Sequence, residues 1–69
     1  MFLLALDKFV LTQPIMMDDG FTIPTGTLGD VDYFDRVSNR FEVTFPEPYG
    51  TVSISANILT ARCRKLKTT

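Results

Sequence analysis

Apolar and polar residues alternate along much of this chain, which is the pattern of half-buried β-strands rather than of helices. The clearest case is segment 41–45, in which Phe, Val and Phe alternate with Glu and Thr. Similar segments cover 27–34 and 51–56. Turn residues separate them, with Ser38-Asn39 before the first and 46–50 after it. The pattern therefore predicts antiparallel strands joined by short hairpins.

The first twelve residues are apolar on both strand faces and leave two interpretations open. Good β-forming residues favour a strand over residues 2–12. Leu3, Leu6 and Val10 also fit a helical stripe, which keeps a helix as the alternative. The strand is preferred because no N-cap residue precedes the segment and Pro14 ends it.

Residues 13–26 contain three turn signals and predict a long irregular loop over the open end of the strands. Within this loop, the segment 21–23 is long enough to pair only briefly. Gly26 is the expected positive-φ position at the end of the loop. Gly29 lies inside the next strand, where a glycine favours a bulge or a sharp bend.

The carboxyl-terminal pattern predicts one helical turn before a last strand. A single 3-10 turn is expected near residues 56–58, and a short closing strand over 59–63. Residues 1–69 are then one domain with a frayed basic tail at 62–69. The predicted core consists of Leu28, Val31, Phe41 or Val43, Val52 and Ile54.

Composition limits what can stabilise a chain of this size. It has 69 residues, a net charge of −1, one cysteine and no histidine. A domain this small buries only about 60% of its unfolded surface, and an internal disulfide and a zinc cluster are both excluded. Packing or self-association must supply the stability, so a homo-oligomer is one expected state. The single Cys63 favours a reducing, cytoplasmic compartment.

The apolar start of the chain does not predict a membrane protein. The run Met1–Leu6 is far shorter than the roughly 20 residues that span a bilayer. It also lacks a preceding basic residue and a following small-residue cleavage site, which a secretory signal requires. No membrane contact is expected.

The order of the predicted elements resembles an SH3-like barrel over about residues 3–64. The segments Gly26–Val31 and Phe41–Phe45 are similar to the glycine, valine and aromatic pattern of KOW-like modules and of small bacterial and phage barrel proteins. Residues 50–59 are similar to the close of eukaryotic SH3 domains. The resemblance implies an all-β, five-stranded SH3-like antiparallel barrel with a long first loop and a short 3-10 turn.

The chain departs from the SH3 domains that bind proline-rich peptides. Those domains use a groove that normally includes tryptophan, a tyrosine in the short helix and acidic residues in the first loop. This chain has no tryptophan, and Ile58 stands where the tyrosine would fall, although Asp18 and Asp19 lie in the first loop. Proline-peptide binding is therefore not expected, since a fold does not by itself carry a function.

Catalysis and metal binding have few candidate residues. Without histidine, acid–base chemistry near neutral pH needs a strongly shifted carboxylate or lysine. Cys63 is expected to be a small apolar residue of the last strand. Asp30, Asp32 and Asp35 lack the central glycine and terminal glutamate of a calcium loop. We expect no enzyme activity, no cofactor and no metal site.

Aromatic and methionine side chains are the strongest indication of a binding surface. Alternation lets only one of Tyr33 and Phe34 face the core, so the other is expected to be exposed. Exposed aromatic residues beside loop methionines are typical of protein interfaces. The alternative is that the loop residues only close the end of the barrel. The predicted binding residues are Met16, Met17, Phe21, Tyr33, Phe34 and Tyr49.

Basic residues concentrate at the carboxyl end of the chain. Residues 62–69 contain Arg62, Arg64, Lys65 and Lys67 and no acid, whereas all the acids lie earlier. A basic tail can bind phosphates, so a nucleic-acid-associated regulator using these four residues is the alternative function. The acidic body would repel a polyanion. The leading hypothesis is therefore a small non-enzymatic binding or accessory module of bacterial or phage origin that contacts a protein partner.

Overall fold

The fold is built mostly from short antiparallel strands. The computed structural model describes residues 3–66. In chain order the elements are β1 (Lys8–Leu11), β2 (Ile15–Met16), β3 (Thr22–Ile23), β4 (Leu28–Asp35), β5 (Arg40–Phe45), β6 (Gly50–Ser55), α1 (Ala56–Arg62) and β7 (Cys63–Lys65). Five strands form one antiparallel sheet in the order β6-β5-β4-β1-β7, and β2 pairs with β3 in a separate hairpin. Within residues 3–66, β6 and β7 do not pair, so the sheet is not closed into a barrel.

The hairpin between β4 and β5 follows directly from the sequence. Asn39 has a φ of 57°, which the tight turn requires, and the Asp35 carboxylate accepts a hydrogen bond of 3.0 Å from the Val37 N–H. Phe41, Val43 and Phe45 are buried, and the residues between them are half-buried. The predicted turn over 35–40 and the face of β5 are both confirmed.

The core lies between the five-stranded sheet, the β2–β3 hairpin and α1. Its buried residues are Leu3, Phe9, Leu11, Ile15, Ile23, Val31, Phe41, Val43, Phe45, Ile54, Leu59 and Cys63. Val52 is partly buried against it, as predicted. Leu28 was expected in the core, but it is 55% exposed. It alternates with Gly29, which occupies the inward position, so the Leu28 side chain points away from the core.

Gly29 is needed for close packing and not for a bulge. A Cβ at this position would lie 2.5 Å from Cζ of Phe9 and 2.9 Å from Cε1 of Phe45. The two rings form an edge-to-face pair with centroids 5.6 Å apart. The predicted bulge at Gly29 is wrong, because the register shift between β4 and β5 falls between Val31 and Tyr33. Gly26 has a φ of +91°, as expected.

The amino-terminal segment turns before it becomes a strand. Of the predicted strand over 2–12, only Lys8–Leu11 pairs with other strands, so the prediction is wrong for its first part. Phe2 lies outside the described residues. The Asp7 carboxylate accepts a hydrogen bond of 2.7 Å from the Leu4 N–H. The Asp7 N–H donates a second one, of 3.0 Å, to the Leu4 carbonyl. These bonds close a turn in which Leu6 has a φ of 71°.

The carboxyl-terminal helix is longer than predicted. An α-helix covers Ala56–Arg62 in place of a 3-10 turn near 56–58, and the closing strand is Cys63–Lys65 rather than 59–63. The extra turn buries Leu59 completely, which favours helix over strand at this position. Within the basic segment, Arg62 ends α1 and Cys63–Lys65 pair with β1. Residues 67–69 lie outside the described part of the chain.

Candidate protein-binding surface

The β2–β3 hairpin holds the first part of the long loop in place. Ile15 and Ile23 form a buried cross-strand pair that fixes the base of the hairpin to the core. At its tip, the Met17 N–H donates 2.8 Å to the Phe21 carbonyl, and the Gly20 N–H donates 3.0 Å to the Met17 carbonyl. The tip is therefore an ordered turn that projects its remaining side chains outward.

An aromatic stack joins this hairpin to the turn between β5 and β6. The rings of Phe21 and Tyr49 are stacked, with centroids 6.0 Å apart and planes 24° apart. A recess opens beside the stack, with residues of the hairpin on one side and residues of β6 on the other. Its lining is Met17, Asp18, Asp19, Phe21, Tyr49, Thr51 and Val52.

A second recess continues along β6 toward α1. It is lined by Ile15, Met16, Met17, Asp18, Arg40, Ser53, Ile54, Ser55 and Ile58. Met16 is 76% exposed and Ile58 is 45% exposed, so two large apolar side chains border it. We call the two recesses together the β6 groove. Because Met17 and Asp18 line both recesses, the groove is continuous between the hairpin and β6.

Arg40 lines the groove, and its side chain is bound to β6. Its Nε donates a hydrogen bond of 2.8 Å to the Ser53 hydroxyl, and its Nη2 donates another of 2.8 Å to the Ser53 backbone carbonyl. In contrast, neither Asp18 nor Asp19 has a hydrogen-bond or ion-pair partner within residues 3–66, and both are exposed. The groove therefore presents two unneutralised carboxylates beside one cation that is already engaged.

The structure brings together four of the six predicted binding residues. Met16, Met17, Phe21 and Tyr49 all line the β6 groove. Tyr33 and Phe34 are on β4, opposite Glu42 and Phe41 respectively, and do not line the groove. Phe34 packs on Phe41 with centroids 4.9 Å apart, whereas Tyr33 is exposed, as the alternation predicted.

Sequence reasoning did not assign Arg40, Ser53 and Ile58 to this surface. They come from three different elements, and only the tertiary fold places them beside the loop. The one signal in the sequence was at Ile58, which stands where an SH3 domain would carry a groove tyrosine.

The basic residues do not form one patch in the described part of the chain. Arg62 donates 3.0 Å from Nη1 to the Pro14 carbonyl, and Lys65 forms a 3.3 Å ion pair with Asp7. The hydrogen bond from the Leu4 N–H lowers the pKa of the Asp7 carboxyl, and Lys65 lowers it further. Strand alternation directs Arg64 away from Lys65, and Lys67 lies outside the described residues.

Cys63 is buried, and acidic residues of β4 have structural partners. Cys63 is 7% exposed, and burial raises the pKa of its thiol to about 11, which keeps it neutral at pH 7. Asp30 forms an ion pair of 2.8 Å with Lys8, and Asp32 accepts 2.8 Å from the Thr44 hydroxyl. Among residues 3–66, no group of three or more acidic or cysteine side chains is placed to hold a metal ion.

Comparison with known proteins adds no further assignment. No protein-family model matches the chain, and the searches of curated proteins and of solved structures both find no significant match. In the part of the chain that the structure describes, no helix has the length and apolar content needed to cross a membrane.

Proposed function

We propose that this chain is a small non-enzymatic binding module that contacts a protein partner through the β6 groove. The observation that carries the proposal is the exposure of Met16 and Ile58 on either side of a recess that also contains polar and charged groups. Large apolar side chains surrounded by polar ones are typical of protein interfaces.

The shape of the groove supports a protein partner over a small-molecule substrate. It is an open surface between the hairpin and β6. Small-molecule sites are usually concave cavities that bury most of the ligand. Cys63, the only cysteine, lies in the core away from the groove lining.

We also propose that the fold is an SH3-like barrel of bacterial or phage origin that works in a reducing, cytoplasmic compartment. The element order supports the SH3-like fold: a strand, a long loop, three strands joined by hairpins, a short helix and a last strand. The free Cys63 supports the reducing compartment. Exposed Leu4 and Leu6 would serve a homo-oligomer, which stays a prediction.

Site-specific photo-crosslinking tests the proposed surface. A benzophenone amino acid is placed at Met16 and, as the matched control, at Val37, which is 98% exposed in the β4–β5 hairpin and does not line the groove. Both proteins are expressed at native level in the cells that make this chain and are then irradiated. We expect a discrete adduct with one protein from position 16 and none from position 37.

Binding of the purified partner then separates surface from fold. Met16→Glu should weaken binding at least about tenfold, whereas Val37→Glu should leave the affinity unchanged. An identical adduct pattern at both positions, or none at position 16, would refute the proposal. An adduct that nuclease treatment removes would favour the nucleic-acid alternative.

A further inference from the structure

The outer edge of β6 has a row of backbone groups without ladder partners. The Ala56 N–H donates 2.9 Å to the Asn39 carbonyl, and Arg40 is opposite Ser55. Asn39 and Ala56 are therefore a hydrogen-bonded pair. Since hydrogen-bonded and non-hydrogen-bonded pairs alternate along an antiparallel ladder, the next pair, Arg40–Ser55, is non-hydrogen-bonded. Because the pairs alternate, the N–H groups of Thr51, Ser53 and Ser55 all point away from β5.

This edge lacks the features that normally prevent strand pairing. Residues Gly50–Ser55 include no charged residue and no proline, and their register with β5 runs without a bulge over six pairs. Natural sheets usually blunt such edges with charges, prolines, bulges or very short strands. Here the main obstacle is Arg40, whose Nη2 caps the Ser53 carbonyl.

The β6 groove lies along the same edge. One recess is lined by Thr51 and Val52 and the other by Ser53, Ile54 and Ser55, so the two recesses follow each other along β6. Side chains on one face of a strand recur every two residues, about 7 Å apart. A strand added along β6 would therefore carry its side chains past both recesses.

Charge specifies one feature of the added strand. Asp18 lines both recesses and Asp19 lines one, and neither carboxylate has a partner within residues 3–66. Arg40 is committed to Ser53. A lysine or arginine on the added strand would neutralise the carboxylates, whereas a second copy pairing through β6 would bring more carboxylates to the same place.

We propose that β6 binds an extended segment of a partner protein by strand addition, and that this segment carries a basic residue between apolar or β-branched ones. Backbone hydrogen bonds to Thr51, Ser53 and Ser55 hold the segment, and the two recesses select its side chains. The inference rests on the proposed protein-binding function and names the chemistry of the partner.

Selection from a random heptapeptide library displayed on phage supplies the probe. The purified full chain is the bait, and the Ser53→Pro variant is the counter-selection, because proline removes the outward N–H without removing a ladder bond. Ser53→Ala is the matched control, since it retains the N–H. We expect enriched peptides to combine one basic residue with β-branched residues and to bind the parent and Ser53→Ala.

N-methylation of a selected peptide tests the hydrogen bonds directly. Methylation of alternate amides should weaken binding about tenfold or more in one register and by less than about threefold in the other. Hydrogen exchange should slow at the amides of Thr51, Ser53 and Ser55 when peptide is added. This measurement does not depend on the folding of the Ser53→Pro variant.

Four outcomes would overturn the inference. These are failure to enrich any peptide over Ser53→Pro, enrichment of proline-rich peptides, equal effects of both methylation registers, and protection of the β6 amides by raised chain concentration without peptide. The last result would identify a second copy as the occupant. The crosslink from position 16 tests the proposed function separately, because a folded partner can use the groove without adding a strand.

Discussion

The two edges of the five-stranded sheet differ in length, charge and exposure of backbone groups. The β7 edge has only three residues, includes Arg64 and Lys65, and is tied to Asp7 by an ion pair. The β6 edge has six residues without a charge and keeps an unbroken register with its neighbour. Both are ends of the same sheet, but only the β7 edge has the usual protection against pairing.

This difference shows that the protection of a sheet edge need not be uniform. The open edge is the one that borders the exposed methionine, the aromatic stack and the unpaired carboxylates of the long loop. A strand edge left open beside such side chains is what strand addition requires. The difference between the edges therefore supports the proposal that recognition belongs to the β6 side.

The largest expected effect compares the core side chains that the two edge strands contribute. Ile54 of β6 is 3% exposed and Cys63 of β7 is 7% exposed. Ile54→Ala removes a large core side chain and should lower the free energy of unfolding by about 2–5 kcal/mol. Cys63→Ala removes one sulfur atom and should cost less than about 1.5 kcal/mol. Urea unfolding measures both, and equal losses would show that the two edges contribute equally to the core.

The second prediction concerns Gly29, where β1 and β4 join the two sides of the sheet. Gly29→Ala should destabilise by about 1–3 kcal/mol, because its Cβ meets the rings of Phe9 and Phe45. The control is Gly26→Ala, where no atom lies within 4 Å and only the positive φ is strained, at about 1–2 kcal/mol. Amide exchange in Gly29→Ala should accelerate most in β1 and β7. Acceleration first in β6 would argue against a junction at this position.

The third prediction removes the cap on the open edge. Arg40→Met keeps much of the side-chain length but loses both hydrogen bonds to Ser53, so stability should fall by about 1 kcal/mol. The Ser53 carbonyl is then free, and a basic peptide selected on the parent should bind Arg40→Met more tightly. Arg64→Met on the β7 edge should change stability by less than about 0.5 kcal/mol and leave the peptide affinity unaltered. The cap does not restrict strand addition if both variants bind the peptide as the parent does.

The smallest expected effect is a pH dependence of stability that arises from two carboxylates, Asp7 and Asp35. The Leu4 N–H lowers the pKa of Asp7, and the Ser38 hydroxyl lowers that of Asp35. Both carboxylates have a folded-state pKa below the ordinary value of an aspartate side chain. They therefore stabilise the fold above that ordinary value, and this stability is lost as the pH falls through the folded-state pKa values.

Thermal melts of Asp7→Asn and Asp35→Asn between pH 2 and 7 measure this contribution. Each variant should melt below the parent at neutral pH, and the gap should close in acid. A gap that persists at the lowest pH would show that the carboxylates stabilise by packing and not by charge.

Local patterns predicted the elements whose pairing partners are close in sequence. The β4–β5–β6 meander, the turn at Asn39 and the positive φ of Gly26 all depend on neighbouring residues, and all three are present. Errors occurred where a distant residue decides the conformation. Residues 4–7 form a turn whose Leu6 N–H donates a hydrogen bond of 2.7 Å to the distant Val31 carbonyl, and Leu59 is helical and fully buried in the core.

Alternation and turn chemistry, which act over a few residues, determined that this chain is mostly β-structure and which faces of β5 and β6 are buried. They also identified the loop methionines and aromatic residues that line the groove. Only the tertiary structure decided that Arg40, Ser53 and Ile58 lie beside them and that β6 is the open edge. The physical reason is that strand order and edge exposure depend on pairing between distant segments, and no local pattern encodes that pairing.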